Sequence, residues 1–313
     1  MRRSFLYVLT ELALKDPRIV LLTGDLGYSV LEPFAENCPE RFFNVGVAEQ
    51  NMVGLATGLA EAGYIPFVYS IATFASLRAY EIIRNGPIIH QYPVRIVGTG
   101  GGLEYGVNGI THHGLEDIGV MRMHPGITVI LPADSEQAAS ALRATWNLPG
   151  PVYYRISKFG DVIPGLEGAF EFGRAYLLVP GDDVLFVTAG GITREVLKSV
   201  AILHDRGISA EVLLLTTLHP APVDYLVGVL SRFHLVFTVE DHFVNGGLGS
   251  LISEIVAERG LSCRVDRCGI RRSVDGQSGS SAFLYGKHGL SGISLAEKAS
   301  LAWSAVRAQS ETH

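Results

Sequence analysis

The sequence lacks the features that mark several large classes of protein. It contains three cysteines, Cys38, Cys263 and Cys268, and no CxxC pair, so it predicts no disulfide framework and a reducing, cytoplasmic compartment. No apolar run approaches the roughly 20 residues that a membrane-spanning helix needs, so we expect no membrane contact. The formal net charge is −6 and the charges are dispersed, which argues against a nucleic-acid-binding protein.

The usual nucleotide-binding and nucleophile motifs are also missing. The sequence has no GxxxxGK[ST] and no GxSxG. The glycines of 100–102 lack the spacing of a dinucleotide fingerprint, and those of 246–249 lack an acidic residue about 20 positions further on. Tight packing of a helix against a strand explains the second segment better than a dinucleotide does.

What the chain does contain is the pattern of an α/β protein. It is 48% hydrophobic and 18% charged, and it has 36 glycines. Short apolar segments alternate with helical patterns, which predicts largely parallel sheets covered on both faces. The predicted strands are 19–23, 41–45, 66–69, 94–98, 128–131, 152–156, 184–188, 210–215 and 235–239. The predicted helices are 5–15, a helix that begins near Glu49, 74–85, 135–146, 193–206 and 245–257.

Residues 160–181 interrupt this alternation. The segment begins with Gly160–Gly165 and ends with Pro180–Asp183, both rich in turn-forming residues. The sequence therefore predicts two doubly wound domains, at 1–160 and 183–313. Residues 161–182 are predicted to form a linker, or a short hairpin, between them.

One carboxylate, Glu49, occurs where an apolar strand gives way to a helix. The stretch 42–47 is apolar, and the helix that follows is rich in Ala, Leu and Gly. An acid in a poorly hydrated crevice there can share a proton with a ligand nitrogen. A simpler explanation is that an acid in the first turn complements the helix dipole.

The loop at 99–117 follows a predicted strand and carries several polar side chains. In an open parallel sheet, such loops form the ligand crevice. Its glycines would let the backbone approach a ligand, while Asn108, Thr111 and His112 supply hydrogen-bonding groups. We predict no metal site, because His112 and His113 are adjacent and no acid or cysteine stands at ligand spacing.

These segments carry a family resemblance. Four segments resemble the pyrimidine-binding domain of the transketolases, and two resemble that family's carboxy-terminal domain: Phe42–Ala60, Thr73–Asn85, Val97–Asp117 and Gly126–Asp134, then Glu240–Glu254 and Arg267–Leu290. The Gly-Asp-Gly…Asn signature of the amino-terminal, diphosphate-binding domain is missing. The resemblance therefore implies the carboxy-terminal subunit of a split, two-chain transketolase.

The resemblance also implies a cofactor and a partner. Thiamine diphosphate would be shared with an N-terminal subunit, which would hold the diphosphate through Mg²⁺ or Ca²⁺ in an α2β2 heterotetramer. In that family the acid matching Glu49 hydrogen-bonds N1′ of the aminopyrimidine, which activates the cofactor. Phe74 and Tyr80 would wall the pyrimidine, although core packing explains these two equally well, and Asp25 would lie beside the cofactor. Leu77 stands where some members have a stacking aromatic residue.

The substrate residues follow from the same resemblance. Arg2, Ser29 and Arg155 match residues that grip a sugar phosphate, and His112 matches a histidine that contacts substrate oxygens and takes part in catalysis.

Two positions depart from the family pattern. Gly100 replaces a phosphate-binding histidine, and Asn108 replaces an aspartate that recognises a hydroxyl group. We therefore expect transfer of a two-carbon ketol unit from a ketose to an aldose on unusual substrates, with Gly100 making room for a larger or differently oxidised sugar or sugar phosphate.

Two other functions remain open at this stage. The β subunit of a 2-oxoacid dehydrogenase shares the architecture and the carboxylate, although the pattern around His112 differs. A non-catalytic regulatory or assembly subunit of the same fold is the second. The intact Glu49 argues against it, whereas Gly100 and Asn108 are compatible with it.

Overall fold

The structure, a computed structural model, describes residues 1–272 and 276–310. The strands and α-helices of this part of the chain alternate along most of its length. The strands are β1 (Ile19–Thr23), β2 (Phe42–Asn44), β3 (Ile65–Ile71), β4 (Arg95–Thr99), β5 (Thr128–Ile130), β6 (Val152–Ile156), β7 (Ala175–Val179), β8 (Val184–Thr188), β9 (Ala210–Leu215), β10 (Thr217–His219), β11 (Leu235–Phe243) and β12 (Arg264–Ile270). The α-helices are α1 (Arg2–Lys15), α2 (Glu32–Asn37), α3 (Glu49–Glu61), α4 (Tyr80–Ile83), α5 (Asp117–Arg122), α6 (Ser135–Thr145), α7 (Thr193–Asp205), α8 (Val223–Leu230), α9 (Leu248–Arg259), α10 (Ser281–Lys287) and α11 (Gly292–Ser310).

The strands form two mixed sheets, each mostly parallel. The first has the order β10-β5-β6-β4-β3-β1-β2, and only its edge strand β10 runs antiparallel to its neighbour. The second has the order β12-β11-β8-β9-β7, with β7 antiparallel at its edge. β1, β4, β6, β8 and β9 are buried along their whole length, as expected for strands covered by helices on both faces. The predicted fold class is confirmed.

Several strands have the predicted bounds, whereas the region between the two sheets differs from a plain linker. β7 lies within 161–182 and pairs with β9, so the end of that segment is part of the second sheet. Conversely, β10 belongs to the second half of the chain but pairs with β5 of the first sheet. Short edge strands of this kind carry little periodicity, so the sequence pattern did not reveal them.

The helix predicted at 74–85 is more irregular than its pattern suggests. Residues Phe74–Arg78 form a π-helical turn, α4 follows, and Arg84–Ile88 form a second π-helical turn that contains Pro87. Each π-helical turn adds a residue relative to an α-helix and rotates the side chains that follow, and such turns are frequent at functional sites.

The helix after the glycines of 246–249 begins against a buried acid. Both carboxylate oxygens of Glu240, at the end of β11, accept hydrogen bonds from the first turn of α9, from Leu248 N at 2.8 Å and Gly249 N at 2.9 Å. A Cβ atom at Gly247 would overlap the Glu240 carboxylate, and one at Gly249 would press on Thr238 and Arg267. Close packing of the helix on the sheet therefore accounts for these glycines, as the sequence predicts.

The sheet topology places one group of loops together. β1, β3, β4 and β6 are parallel neighbours in the first sheet, so the segments that follow them leave from the same edge.

None of the helices in the described part of the chain is long and apolar enough to cross a membrane. Within 1–272 and 276–310, no group of three or more His, Cys, Asp or Glu side chains is arranged to hold a metal ion.

Candidate functional site

Glu49 is the first residue of α3, and its carboxylate is almost completely buried, with 1% of the side chain exposed. Gly46, with φ of +73°, turns the chain between β2 and this helix. Glu49 Oε1 accepts a hydrogen bond from Ser70 Oγ of β3 at 3.2 Å, and Oε2 pairs with Arg78 Nη1 at 2.8 Å. The acid is thus held between the start of α3, the end of β3 and the turn that follows β3, in the buried position that the sequence predicts.

The π-helical turn Phe74–Arg78 brings an arginine to this carboxylate. The Arg78 guanidinium lies 4.3 Å from the centre of the Phe74 ring, so it contacts an aromatic face while it pairs with Glu49. Arg78 is about half exposed. The Arg78 side chain therefore covers the Glu49 carboxylate and the Phe74 ring from the solvent side, and it can move away into solvent. Leu77 beside it is exposed and leaves an apolar surface next to the pair.

His112 lies on the other side of Phe74. The two rings meet edge to face with 5.2 Å between their centres, and Thr111 Oγ1 is 3.0 Å from His112 Nδ1. The imidazole is half-buried. A buried acid, an aromatic face and a histidine therefore line one crevice, although they come from segments after three different strands.

The sequence matches two family models in the order of the two sheets. The transketolase pyrimidine-binding domain matches residues 1–159, and the transketolase C-terminal domain matches residues 173–292. The chain belongs to the transketolase family. Three similar proteins indicate which part of a transketolase this chain corresponds to.

A Methanocaldococcus jannaschii protein named as a transketolase C-terminal section is 39% identical over 302 residues, with 95% of this chain and 94% of that protein covered. One of the subunits of the apulose-4-phosphate transketolase of Phocaeicola vulgatus is 34% identical, and the match covers 84% of this chain and 86% of that one. The 6-deoxy-6-sulfo-D-fructose transketolase subunit SqwH of a Clostridium species is 36% identical, with 93% of this chain and 90% of that one covered.

A solved structure described as a split gene transketolase, inactive beta4 tetramer, has a similar fold. It superposes with a TM-score of 0.87 at 34% identity, and the match covers 97% of this chain and 98% of that one. Because relatives of this length are single subunits of split enzymes, this transketolase chain is the counterpart of their carboxy-terminal subunit.

The other residues that the resemblance assigns to the cofactor lie in different surroundings. Asp25, with φ of +56°, is exposed, and its Oδ1 accepts hydrogen bonds from Asn44 Nδ2 at 3.0 Å and Tyr28 OH at 3.2 Å. Tyr80 is half-buried, and its hydroxyl group lies 2.7 Å from His124 Nε2. The Tyr80 hydroxyl group is therefore engaged with α5 and its C-terminal end rather than with Glu49.

Arg155, which the resemblance assigns to the sugar phosphate, is a buried arginine with several internal partners. The side chain is 9% exposed and its Nε lies 2.9 Å from Asp117 Oδ2, while Nη2 donates to the carbonyl oxygens of Gly114 and Asp241 at 2.8 Å each. A guanidinium committed to three internal partners has little left for a substrate. Arg155 therefore links the two halves of the chain in this structure, and its role in binding a sugar phosphate stays a prediction.

Two glycines of the 99–117 loop lie directly against buried charged side chains. A Cβ atom at Gly101 would overlap the Arg155 guanidinium, and one at Gly102 would overlap the Asp241 carboxylate. Asp241 in turn accepts hydrogen bonds from Leu103 N at 3.0 Å and from Tyr285 OH at 2.7 Å. Gly101 and Gly102 therefore let the loop pack against buried charges.

Gly100 does not leave an open space either. Its φ of +64° places the missing side chain against the Tyr105 ring and close to Lys158 Cδ. The Tyr105 ring thus occupies the space that the sequence analysis assigned to a larger sugar. The Lys158 ammonium group lies 4.0 Å from the centre of the Tyr105 ring. Asn108 is exposed on the next turn of the same loop, and Ser29 is exposed on the loop after β1.

A second cation lies near Lys158. Burial, and next the Arg2 guanidinium, lower the pKa of Lys158. Burial raises the pKa of both Tyr69 and Tyr105, and Arg2 opposes that rise in each, so Arg2 lies beside both phenol rings. Within the described residues, neither Arg2 nor Lys158 has a carboxylate at ion-pairing distance, and the buried oxygens Tyr69 OH and Thr99 Oγ1 lack a hydrogen-bond partner.

Residue-by-residue reasoning missed four participants of this site. Arg78 escaped because a π-helical turn cannot be predicted from periodicity, and Lys158 and Tyr105 escaped because their contact with Gly100 depends on how the loop folds. Asp241 could have been suspected from the pair Glu240–Asp241 at the end of an apolar strand. Two consecutive acids in an otherwise buried strand require partners nearby.

We expect Gly102→Ala to destabilise the protein by roughly 2–5 kcal/mol, because a methyl group there meets the Asp241 carboxylate and an L residue is strained at this φ. Gly63→Ala is the matched control, since Gly63 has a φ of +93° and nothing lies within 4 Å of its added Cβ. That control should cost about 1 kcal/mol of backbone strain. Urea unfolding of both variants measures the difference, and equal losses would contradict the close packing described here.

Proposed function

We propose that this chain is the carboxy-terminal subunit of a thiamine-diphosphate-dependent transketolase that moves a two-carbon ketol unit from a ketose to an aldose. The observation that supports this most directly is Glu49, a carboxylate held at 1% exposure beside Phe74 and His112. A structural first-turn acid would face water, where it complements the helix dipole without losing its hydration. Burying an acid is costly, so its position here favours a chemical role.

The residues of this crevice fit an aminopyrimidine. Glu49 would bind a ring nitrogen, the exposed side of Phe74 would contact the ring, and Arg78 would withdraw from both. Bound thiamine diphosphate supplies an electron sink for the two-carbon unit. Glu49 would hold a proton at the ring nitrogen, and His112 would hydrogen-bond oxygen atoms of the sugar. Asp25, and Tyr80 through its ring, would border the cofactor from further away.

The diphosphate and its Mg²⁺ or Ca²⁺ would be held by a separate N-terminal subunit in an α2β2 assembly. Exposed apolar side chains support such a partner, because several stand beside candidate site residues. They are 37–74% exposed and comprise Tyr28, Val47, Leu77, Val107, Ile110 and Met123. Apolar side chains concentrated around one crevice are typical of an interface. The relative described as an inactive beta4 tetramer fits a subunit that needs its partner for activity.

The substrate would carry a terminal anionic group. Arg2 and Lys158 are two cations without a carboxylate partner among the described residues, and they flank the position where Gly100 replaces a histidine. The substrates named for two relatives, apulose 4-phosphate and 6-deoxy-6-sulfo-D-fructose, end in a phosphate and a sulfonate. Lys158 and Arg2 would therefore take the role that the sequence resemblance gave to Arg155, with Ser29 and Asn108 at the entrance.

A cytoplasmic location agrees with three free, buried thiol groups. A 2-oxoacid dehydrogenase β subunit and a non-catalytic assembly subunit have no specific observation in their favour. An intact acid, aromatic ring and histidine in one crevice would be superfluous in the latter. The assay described next separates all three.

Glu49→Gln, assembled with the N-terminal subunit, should lower the rate of ketol transfer by roughly 10²–10⁴-fold, because it removes the proton-holding group and keeps the shape. Glu61→Gln at the exposed end of the same helix should keep the rate. Pyruvate decarboxylation, measured in parallel, should stay at background in every sample. Unchanged ketol transfer in Glu49→Gln would refute the catalytic assignment, and pyruvate turnover would favour the dehydrogenase.

Lys158→Gln should raise KM at least tenfold for a ketose that ends in phosphate or sulfonate, since a charge-assisted hydrogen bond is worth about 1.5–3 kcal/mol. The value of kcat and the KM of the matching uncharged ketose should stay the same. Lys198→Gln on exposed α7 is the control. An equal rise in KM for charged and uncharged substrates would mean that Lys158 merely packs on Tyr105.

A further inference from the structure

A second concentration of positive charge lies in the carboxy-terminal half, at the end of the edge strand β12. A cavity of about 470 Å³ is bounded by this strand end, by α10 and by α11. Six of the residues that line it are basic: Arg267, Arg271, Arg272, Lys287, His288 and Lys298. No aspartate or glutamate is among its described lining residues. In a chain with a net charge of −6, such a grouping is unexpected.

Most of this charge has no opposite charge beside it. Lys298 Nζ pairs with Asp266 Oδ1 at 2.5 Å, which leaves four arginine and lysine side chains of the cavity without an ion pair in the described part of the chain. Arg267 and Arg271 donate to backbone carbonyl oxygens, at 3.0 and 2.8 Å, and Lys287 donates to Gln277 Oε1. A guanidinium has five N–H donors, so each arginine keeps most of them for a ligand.

Like charges gathered in a concave site repel one another, which raises the free energy of the empty site. A bound anion relieves this repulsion and forms charge-assisted hydrogen bonds with the cations. One phosphate group carries at most about two negative charges at neutral pH, which is fewer than the four positive charges of the unpaired arginine and lysine side chains. The volume lies in the range of small-molecule sites, and a concave cavity suits a metabolite better than a protein or nucleic-acid surface. Two anionic groups on one small molecule match the distribution of charge.

The cavity is separate from the Glu49 crevice. α10 stands between the glycine-rich loop and the cavity: Gly279 N, just before the helix, donates to Gly106 O at 3.1 Å, while Leu284 and Lys287 of the helix line the cavity. Tyr285 of the same helix donates to Asp241. The wall of the cavity is therefore firmly attached to the rest of the chain.

We propose that this cavity binds a small metabolite that carries two or more phosphate groups, at a site distinct from the catalytic crevice. Arg271, just after β12, and Lys287 of α10 provide contacts from two different elements, and Arg267 and Arg272 provide further contacts. The ligand class is either a nucleoside diphosphate or a sugar bisphosphate, which share the chemistry that the cavity recognises.

Calorimetric titration of the full chain with inorganic pyrophosphate tests the site, and orthophosphate, ADP and fructose 1,6-bisphosphate follow under the same buffer and salt. We expect one pyrophosphate per chain, and weaker binding of orthophosphate. Arg271→Gln combined with Lys287→Gln should weaken pyrophosphate binding about a hundredfold, because each substitution removes one charge-assisted hydrogen bond to the ligand. Whichever organic ligand binds more tightly than pyrophosphate identifies the class.

Lys15→Gln combined with Arg259→Gln is the matched control, because both residues are exposed, lie on α1 and α9, which do not line the cavity, and change the net charge equally. This control and Glu49→Gln should bind pyrophosphate like the unmodified chain, so the result does not depend on the proposed catalytic function. Absence of binding for pyrophosphate and both organic ligands would overturn the proposal. So would equal binding of orthophosphate and pyrophosphate, or equal losses in the two double variants.

Discussion

A carboxylate withdrawn from water needs a partner, and the pairing of Glu49 organises the candidate site. In this structure the partners are Ser70 Oγ and the Arg78 guanidinium, which also covers Phe74. Arg78 is half exposed, so a ligand could displace it from the carboxylate. Ser70 is fully buried and stays in place. A ligand nitrogen that displaced Arg78 would gain both the carboxylate and the aromatic face in a single step. The ion pair therefore satisfies the buried carboxylate in the isolated chain.

The second half of the chain contributes to this crevice through buried charge. Asp241 near the end of β11 and Arg155 near the end of β6 hold the loop that carries His112. Tyr285 donates a hydrogen bond to Asp241, and Asp117 forms an ion pair with Arg155. Removing one member of such a network leaves an uncompensated charge in the interior, which is strongly destabilising. The carboxy-terminal half thus shapes a candidate site whose proposed catalytic residues lie in the amino-terminal half.

Much of the fold could be predicted because buried parallel strands are short, apolar and separated by helical periodicity. The position of Glu49 followed from the same pattern, since it marks the change from strand to helix. The packing of Arg155, Gly101 and Gly102 could not be predicted, because the sequence shows that an arginine or a glycine is present but not which buried group it packs against. Edge strands β7 and β10 and the turn that carries Arg78 depend on tertiary contacts, so they could not be predicted from local pattern.

The crystal structure of this chain assembled with its N-terminal subunit and thiamine diphosphate tests the central claim most directly. The quantity to measure is the distance from the Glu49 carboxyl group to the nearest pyrimidine nitrogen, together with the position of Arg78. We predict a hydrogen bond of about 2.6–3.2 Å to the ring, with the Arg78 guanidinium moved away from Glu49 and Phe74. An intact Glu49–Arg78 pair with the pyrimidine bound elsewhere would contradict the account.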